Sequence, residues 1–69
     1  MEPVEIQVNG ERRSVPAGLD LAGLLAHLEL HPETVVVEHN RVIVRRNSLR
    51  GTPVSAGDVV EIVHFVGGG

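Results

Sequence analysis

The sequence predicts an α+β domain in which a single main helix packs on one face of a four- to five-stranded mixed sheet. Three observations support this prediction. Apolar and polar residues alternate over residues 4–8, leucines recur at helical spacing from Leu21 to Leu28, and β-branched residues dominate after Val35. Because strands precede and follow the helix, the apolar stripe of the helix has only the inward face of a sheet to bury against.

The first two strands are predicted on either side of a tight turn. Val4, Ile6 and Val8 alternate with polar residues, which is typical of a strand with one face in the core and one in water. Asn9-Gly10 follows at once, and both residue types tolerate the positive backbone angles of a short hairpin turn. We therefore expect the chain to return as a second strand through residues 12–15.

The helix is predicted to begin after Asp20, a residue type that caps helix N-termini. Four leucines then recur at positions i, i+3, i+4 and i+7, which places them on one stripe of a helix. These leucines are Leu21, Leu24, Leu25 and Leu28. Pro32 is expected to stop the helix or keep it stopped, because proline cannot continue a helical hydrogen-bond pattern.

The second half of the chain is predicted to form the remaining strands. Two short β-branched segments, residues 35–37 and 42–44, are joined by a turn over residues 39–41, and residues 45–53 are expected to be an irregular connection. A turn at residues 55–58 leads into the longest apolar run, residues 59–66. Such a run suits a strand that is covered on both faces or flanked by neighbours, as a central strand is.

Composition narrows the class of protein. The chain has 69 residues and no cysteine, which excludes disulfides and cysteine chemistry and favours a cytoplasmic location. The N-terminus lacks the features of a secretion signal and no run reaches the roughly 18 apolar residues of a membrane span. We therefore expect a soluble protein, unprocessed at its N-terminus, that forms one domain over residues 1–66.

The charge distribution argues against nucleic acid as a partner. The formal net charge is −3 and Phe65 is the only aromatic residue, whereas nucleic-acid binders combine a basic excess with stacking aromatics. All six basic residues are arginines, and four of them cluster at Arg41, Arg45, Arg46 and Arg50. The cluster is either a solvated loop face or a docking patch for an acidic partner surface.

No catalytic or metal-binding motif is present, so we expect neither a resident cofactor nor an enzyme activity of the chain itself. The sequence has no phosphate-binding loop and no nucleophile elbow. His27 and His31 are four residues apart, but a zinc site needs three or four ligands. His39 and His64 are expected to contact solvent.

The C-terminal glycines Gly67, Gly68 and Gly69 are the segment that suggests chemistry. They are either a frayed end or a flexible tail that is narrow enough to thread into a slot closed to larger residues. A terminal carboxylate has a pKa of about 3.5 and is inert as an electrophile at neutral pH. Activation by AMP transfer in the ATP site of a partner would let a sulfur nucleophile leave a thiocarboxylate on Gly69.

The hairpin at Asn9-Gly10, the leucine helix and the segment Ala56–Gly69 together resemble the ThiS family of sulfur carriers of thiamine biosynthesis. The resemblance covers essentially the whole chain. It implies a β-grasp fold with the last strand lying centrally beside the first. It also implies two partners, an ATP-dependent, ubiquitin-activating-like (ThiF-like) adenylyltransferase and a ThiG-like thiazole synthase that receives the sulfur. The functional glycines of the family correspond to Gly68 and Gly69, preceded here by Gly67 as an additional glycine.

Other functions share the same fold or tail. The small subunit of molybdopterin synthase uses the same activation chemistry, although the short chain and the scarcity of aromatics favour the thiamine branch. A ubiquitin-like modifier joined to target lysines and a noncovalent β-grasp binding module are further alternatives. A noncovalent module should tolerate the loss of Gly69, whereas both covalent roles require it. We expect the free protein to be a monomer.

The last predicted strand also suggests a docking surface. If Val60 and Ile62 face the helix, then Val59, Val63 and Phe65 lie on the opposite face, where an apolar patch typically marks an interaction site. The alternative is that Phe65 folds over the edge of the core. Candidate docking residues are Val59, Val63, Phe65 and, from the arginine cluster, Arg45.

Overall fold

The computed structural model describes residues 2–65 and shows a five-stranded mixed sheet with one α-helix on one face. The strands are β1 (Val4–Val8), β2 (Glu11–Val15), β3 (Val35–His39), β4 (Val42–Val44) and β5 (Val59–His64), in the order β2-β1-β5-β3-β4. β1 and β5 are parallel, and the other neighbours are antiparallel. The predicted fold class is confirmed, and the last strand lies centrally beside the first.

Two-residue turns close both hairpins of the sheet. Asn9 and Gly10 have φ values of 51° and 83°, as the Asn-Gly dipeptide predicts. Asn40 and Arg41 form the second turn with φ values of 50° and 72°, a conformation that costs more for arginine than for asparagine. The turn was predicted over residues 39–41, but β3 continues through His39, and the turn contains only Asn40 and Arg41.

Helix α1 (Leu21–His27) begins as predicted. The side chain of Asp20 accepts a hydrogen bond from the Gly23 backbone N–H at 2.7 Å, which satisfies one of the free donors at the helix start. A second oxygen of Asp20 accepts from the Gly51 N–H at 3.1 Å, and these bonds lower the pKa of the carboxyl group below 3.8. The same residue therefore fastens the helix to the loop after β4.

The helix ends well before Pro32. Glu29 adopts a left-handed φ of 62°, and the Leu30 N–H bonds back to the Leu25 carbonyl at 2.9 Å, which is the hydrogen bond of a Schellman C-cap. Glutamate stands where glycine is usual, so the sequence gives no stop signal there. Pro32 instead opens the short 3₁₀ helix Pro32–Thr34.

One apolar core lies between α1 and the inner face of the sheet. It includes three of the four stripe leucines, while Leu28 is half-buried at the helix end. Its members are Ile6, Val8, Val15, Leu21, Leu24, Leu25, Val35, Val37, Leu49, Val54, Val60 and Ile62. The connection after β4 contributes Leu49 and forms the 3₁₀ helix Arg46–Ser48. Within residues 2–65, no helix has the length and apolar character that crossing a membrane requires.

Candidate functional site

Strand β5 is the last strand before the C-terminal glycines and is held along both edges. On one edge it pairs with β3 in the register Val36↔Val63 and Glu38↔Glu61. The Phe65 N–H continues this pairing by donating to the Thr34 carbonyl at 3.2 Å. The candidate tail is therefore preceded by a central strand. Gly67, Gly68, Gly69 and the predicted domain boundary at Val66 lie outside the described residues, so those predictions stay predictions.

Asn9 secures the other edge of β5. β1 ends at Val8, and the Asn9 backbone N–H makes the last main-chain bond to β5, to the Val60 carbonyl at 2.9 Å. The Asn9 side chain then replaces the missing strand residue, because its Oδ1 accepts from the Ile62 N–H at 2.7 Å and its Nδ2 donates to the Ile62 carbonyl at 3.1 Å. Sequence reasoning assigned Asn9 to the turn alone. The signal that it missed is that an asparagine amide offers the same donor and acceptor as a peptide group.

A polar network fixes the other end of β5, where the chain enters the strand. Asp58 Oδ2 accepts hydrogen bonds from His39 Nε2 at 2.8 Å and from the Ser55 N–H at 2.9 Å. Asn40 donates to Asp58 Oδ1 at 3.3 Å, and Asn40 Oδ1 accepts from the Val59 N–H at 2.9 Å. These hydrogen bonds join the β3–β4 hairpin to the start of β5.

The position of His39 corrects a prediction. His39 was expected to contact solvent in a turn, but its side chain is only 17% exposed because β3 extends through it and pairs it with Val60. Burial opposes ionisation of Asp58, yet the hydrogen bonds from His39, Ser55 and Asn40 outweigh it and lower the pKa of Asp58 below 3.8. His64 is exposed, as predicted.

The two faces of β5 differ in burial as the alternation predicts. Val60 and Ile62 are 0% and 5% exposed against the helix, whereas Val63 and Phe65 are 61% and 52% exposed on the outer face. Of the two arrangements that the apolar run suits, the structure shows the second: β5 is a central strand flanked by β1 and β3, and α1 covers only its inner face. Phe65 does not fold over the core edge.

An apolar surface follows from this arrangement, and we call Val36, Val59, Val63, Phe65 and Arg45 the outer-face patch. Val36 lies opposite Val63 in the β3–β5 ladder. Arg45 follows Val44, the last paired residue of β4, in an extended conformation, with φ −69° and ψ 156°, so strand alternation places it on the face opposite to that of Val44. The structure thus brings the four predicted docking residues to one face.

A pair of like charges interrupts the apolar residues on the outer face. Glu38 and Glu61 are opposed in the β3–β5 ladder, and Ile43 lies opposite Glu38 on β4. Directly opposed like charges destabilise a sheet. The only ion pair among the described residues is His39–Asp58, so neither carboxylate has a basic partner there.

The histidines are not placed to form a metal site. His27 shares an open groove of about 330 Å³ with His64 and Arg13 on the inner face, whereas His31 does not line it. Among residues 2–65, no group of three or more possible ligands is placed to hold a metal ion. Two imidazoles alone fall short of a zinc ligand set.

A helix on one face of a mixed sheet, with the last strand at the centre and a glycine-only end beyond it, defines a ubiquitin-like protein of the β-grasp fold. The comparison with known families agrees with this class and is more specific. The chain belongs to the ThiS family, whose family model matches residues 6–69. The crystal structure of a ThiS thiamine biosynthesis protein from Geobacter metallireducens is similar, with a TM-score of 0.82 and 35% identity over 96% of this chain and 100% of that one.

Two curated relatives differ in length. The sulfur carrier protein ThiS of Bacillus subtilis is 44% identical over 46 residues, which are 67% of this chain and 70% of that protein. A thiazole synthase of Magnetococcus marinus is 41% identical over 66 residues, 96% of this chain. The chain spans only 20% of that synthase, which therefore contains a ThiS-like segment within a much longer protein.

Proposed function

We propose that this chain is a sulfur carrier protein of thiamine biosynthesis, and that the carboxylate of Gly69 is the group that carries the sulfur. The observation that carries the proposal is the placement of β5, a central strand held on both edges that is followed, two residues later in the sequence, by three terminal glycines. The family match through residue 69 and the Bacillus subtilis relative support it.

The proposed chemistry takes place on the tail. A carboxylate oxygen of Gly69 attacks the α-phosphorus of ATP in the partner, and pyrophosphate leaves. A nucleophile at the oxidation level of sulfide then attacks the acyl carbon of the adenylate, AMP leaves with the electrons of the broken C–O bond, and a thiocarboxylate remains. The carrier supplies no catalytic group. Its contribution is to position the acyl carbon, which a rigid body with a narrow tail does well.

Two partners follow from this chemistry. A ThiF-like adenylyltransferase binds the ATP and receives Gly67, Gly68 and Gly69 in a narrow slot, while its surface docks on the outer-face patch. A ThiG-like thiazole synthase then accepts the sulfur for thiazole formation. The thiazole synthase of Magnetococcus marinus supports the second partner, because it contains a segment that resembles this chain. We propose the cytoplasm as the compartment. ATP is available there, and a chain without cysteine does not depend on the disulfides that a reducing compartment would prevent.

Intact-mass spectrometry tests the proposed chemistry. The chain is incubated with its activating enzyme, ATP and a sulfide source, and the expected product is heavier by the replacement of one oxygen with sulfur. A matched variant without Gly69 should remain folded and unchanged in mass. Conversion of that shortened variant, or covalent products with other proteins in place of the sulfur-bearing chain, would contradict the proposal.

The docking role of the outer-face patch is tested by Phe65→Ala. Removing an exposed ring that contacts a partner weakens binding to the activating enzyme, with an expected loss of about tenfold or more in affinity. The control is Val42→Ala, which removes a side chain that is 63% exposed and lies opposite His39, away from the patch. Equal affinity of both variants and the unaltered chain would remove the patch from the interface.

A further inference from the structure

The arginines are concentrated in one segment of an acidic chain. Residues 41–50 contain four arginines and no acid, whereas the rest of the chain contains two arginines and all nine acids. Such a separation of charge creates a local positive field on a protein whose net charge is −3. The field acts at one place on the surface and attracts groups of opposite charge to it.

The structure places part of this segment around a groove with an apolar floor. The groove has a volume of about 490 Å³ and lies between α1 and the two 3₁₀ helices. Its apolar lining comes from Ala22, Pro32 and Leu49, and its charged rim comes from Arg46, Arg50 and Glu33. We call this the arginine groove.

Hydrogen bonds fix the loop that forms the groove. The Ala22 N–H donates to the Leu49 carbonyl at 3.2 Å, and the Thr52 hydroxyl donates to the Ser48 carbonyl at 2.6 Å. Leu49 is 3% exposed and anchors the loop in the core. The arginine groove is therefore formed before any partner arrives, which lowers the entropic cost of binding.

The arginines on the rim are available for a partner. Arg46 and Arg50 are exposed, and neither lies within 4.0 Å of a carboxylate among the described residues, where His39–Asp58 is the only ion pair. Asp20 is close enough for the charge of Arg50 to contribute to its lowered pKa, but both of its oxygens already accept backbone hydrogen bonds, from Gly23 and Gly51. Glu33 is the one carboxylate on the rim itself.

The arginine groove is close to Phe65, the last described residue, and to the outer-face patch. Pro32 lines it, and Thr34 at the end of the same 3₁₀ helix accepts the hydrogen bond of the Phe65 N–H. Arg45 of the outer-face patch directly precedes Arg46. A partner that docks on the outer-face patch therefore also lies beside the arginine groove.

We propose that the arginine groove binds an acidic segment of the activating enzyme, and this assignment of the partner rests on the proposed function. The segment places an apolar side chain on Ala22, Pro32 and Leu49 and directs carboxylates to Arg46 and Arg50. Arginine suits this role because its planar guanidinium bonds a carboxylate through two parallel N–H groups. The groove then adds charge-guided association to the contact area of the outer-face patch.

Removal of the positive charge at the groove tests the proposal. In the double variant Arg46→Gln with Arg50→Gln, the association rate constant with the activating enzyme is expected to fall by at least about fivefold at about 0.15 M salt, because the attraction to the acidic segment is lost. The control is Arg13→Glu on the edge strand β2, which changes the net charge by the same amount and pairs with the buried Ile6, so that it belongs to the inner face of the sheet. The control should stay within about twofold of the unaltered chain, because screening at this salt concentration limits the reach of exposed charges to about 8 Å.

The outcomes separate the groove from the function. An equal loss in the groove variant and the control overturns the groove, because net charge alone then explains the rate, and so does no loss in either. Thermal unfolding verifies that all chains are folded. At saturating enzyme and long incubation, the groove variant should still reach the thiocarboxylate mass. If the unaltered chain is never converted to the thiocarboxylate, the proposed function and the groove assignment both fail. If conversion is normal but the association rates are equal, only the groove assignment fails.

Discussion

The two faces of strand β5 carry the same kind of side chain but differ in burial. Val60 and Ile62 are buried under the helix, whereas their immediate neighbours Val59 and Val63 are 37% and 61% exposed. Residue type therefore does not decide which face is covered. The cover is decided by α1, which packs on one face of the sheet and leaves the other bare.

This difference separates stability from recognition within one strand. The inner face contributes burial of apolar surface, which dominates the stability of a domain of this size. The outer face leaves apolar surface in water, which stabilises the folded chain little and is available to a partner. Substitutions on the two faces should therefore affect different measurements.

The largest effect on stability is expected for Ile62→Ala. Ile62 is 5% exposed, so truncation removes buried methyl groups and leaves a cavity, at a cost of about 3 kcal/mol in the free energy of unfolding. Val63→Ala on the outer face should cost less than about 1 kcal/mol. Urea denaturation of both variants measures the difference, and similar losses would show that the faces are not distinct.

A second prediction separates the faces from the edges. Asn9→Gly keeps a residue that tolerates the φ of 51° but removes both side-chain hydrogen bonds to Ile62, so we expect a loss of about 2 kcal/mol. Hydrogen exchange of the Ile62 amide should accelerate strongly. Asn47→Gly is the control, because Asn47 is exposed and makes none of the described side-chain hydrogen bonds. An unchanged exchange rate at Ile62 would contradict the role of Asn9.

A third prediction places the same substitution on each face in turn. Val60→Thr buries a hydroxyl group at a site that is 0% exposed and should cost about 1.5 kcal/mol, because the group loses its bonds to water. Val59→Thr puts the same hydroxyl beside solvent and should change stability by less than about 0.5 kcal/mol. Thermal unfolding compares the two, and a reversed order would mean that the helix covers the other face.

The smallest effect concerns acid stability at the start of β5. The pKa of Asp58 in the folded chain is below 3.8, so the ionised carboxylate stabilises the fold above that pH. This contribution is lost as the pH falls through the lower pKa of the folded state. The stability advantage over Asp58→Asn should therefore be full at pH 6 and shrink below pH 3.8. Urea denaturation of both chains at several pH values measures the difference, and an advantage that does not shrink in acid would contradict this role of the Asp58 carboxylate.

Sequence alone predicted the fold class, the hairpins, the helix start and the inner face of β5, because each follows from local patterns of apolar and turn residues. It missed features that depend on distant contacts. The role of Asn9 depends on where β1 leaves the sheet beside Ile62, and the burial of His39 depends on how far β3 runs. The end of the helix at Glu29 was not predicted, because glutamate rarely adopts the left-handed conformation and its presence in the sequence does not indicate a helix end.

The candidate site was predicted in part for the same reason. The outer-face positions of Val59, Val63 and Phe65 follow from alternation, whereas the position of Arg45 depends on where β4 ends and on its pairing with β3. The arginine groove needed the fold of the loop after β4, which no pattern in residues 45–53 specified.

The opposed carboxylates of Glu38 and Glu61 have a consequence for how copies of the chain meet in solution. An exposed apolar sheet face invites stacking on its own kind. Two such faces pressed together would trap four negative charges away from water, which is far more costly than exposing a few valines. The acidic pair thus acts as a gatekeeper that discourages self-stacking and leaves the face vacant for a different protein.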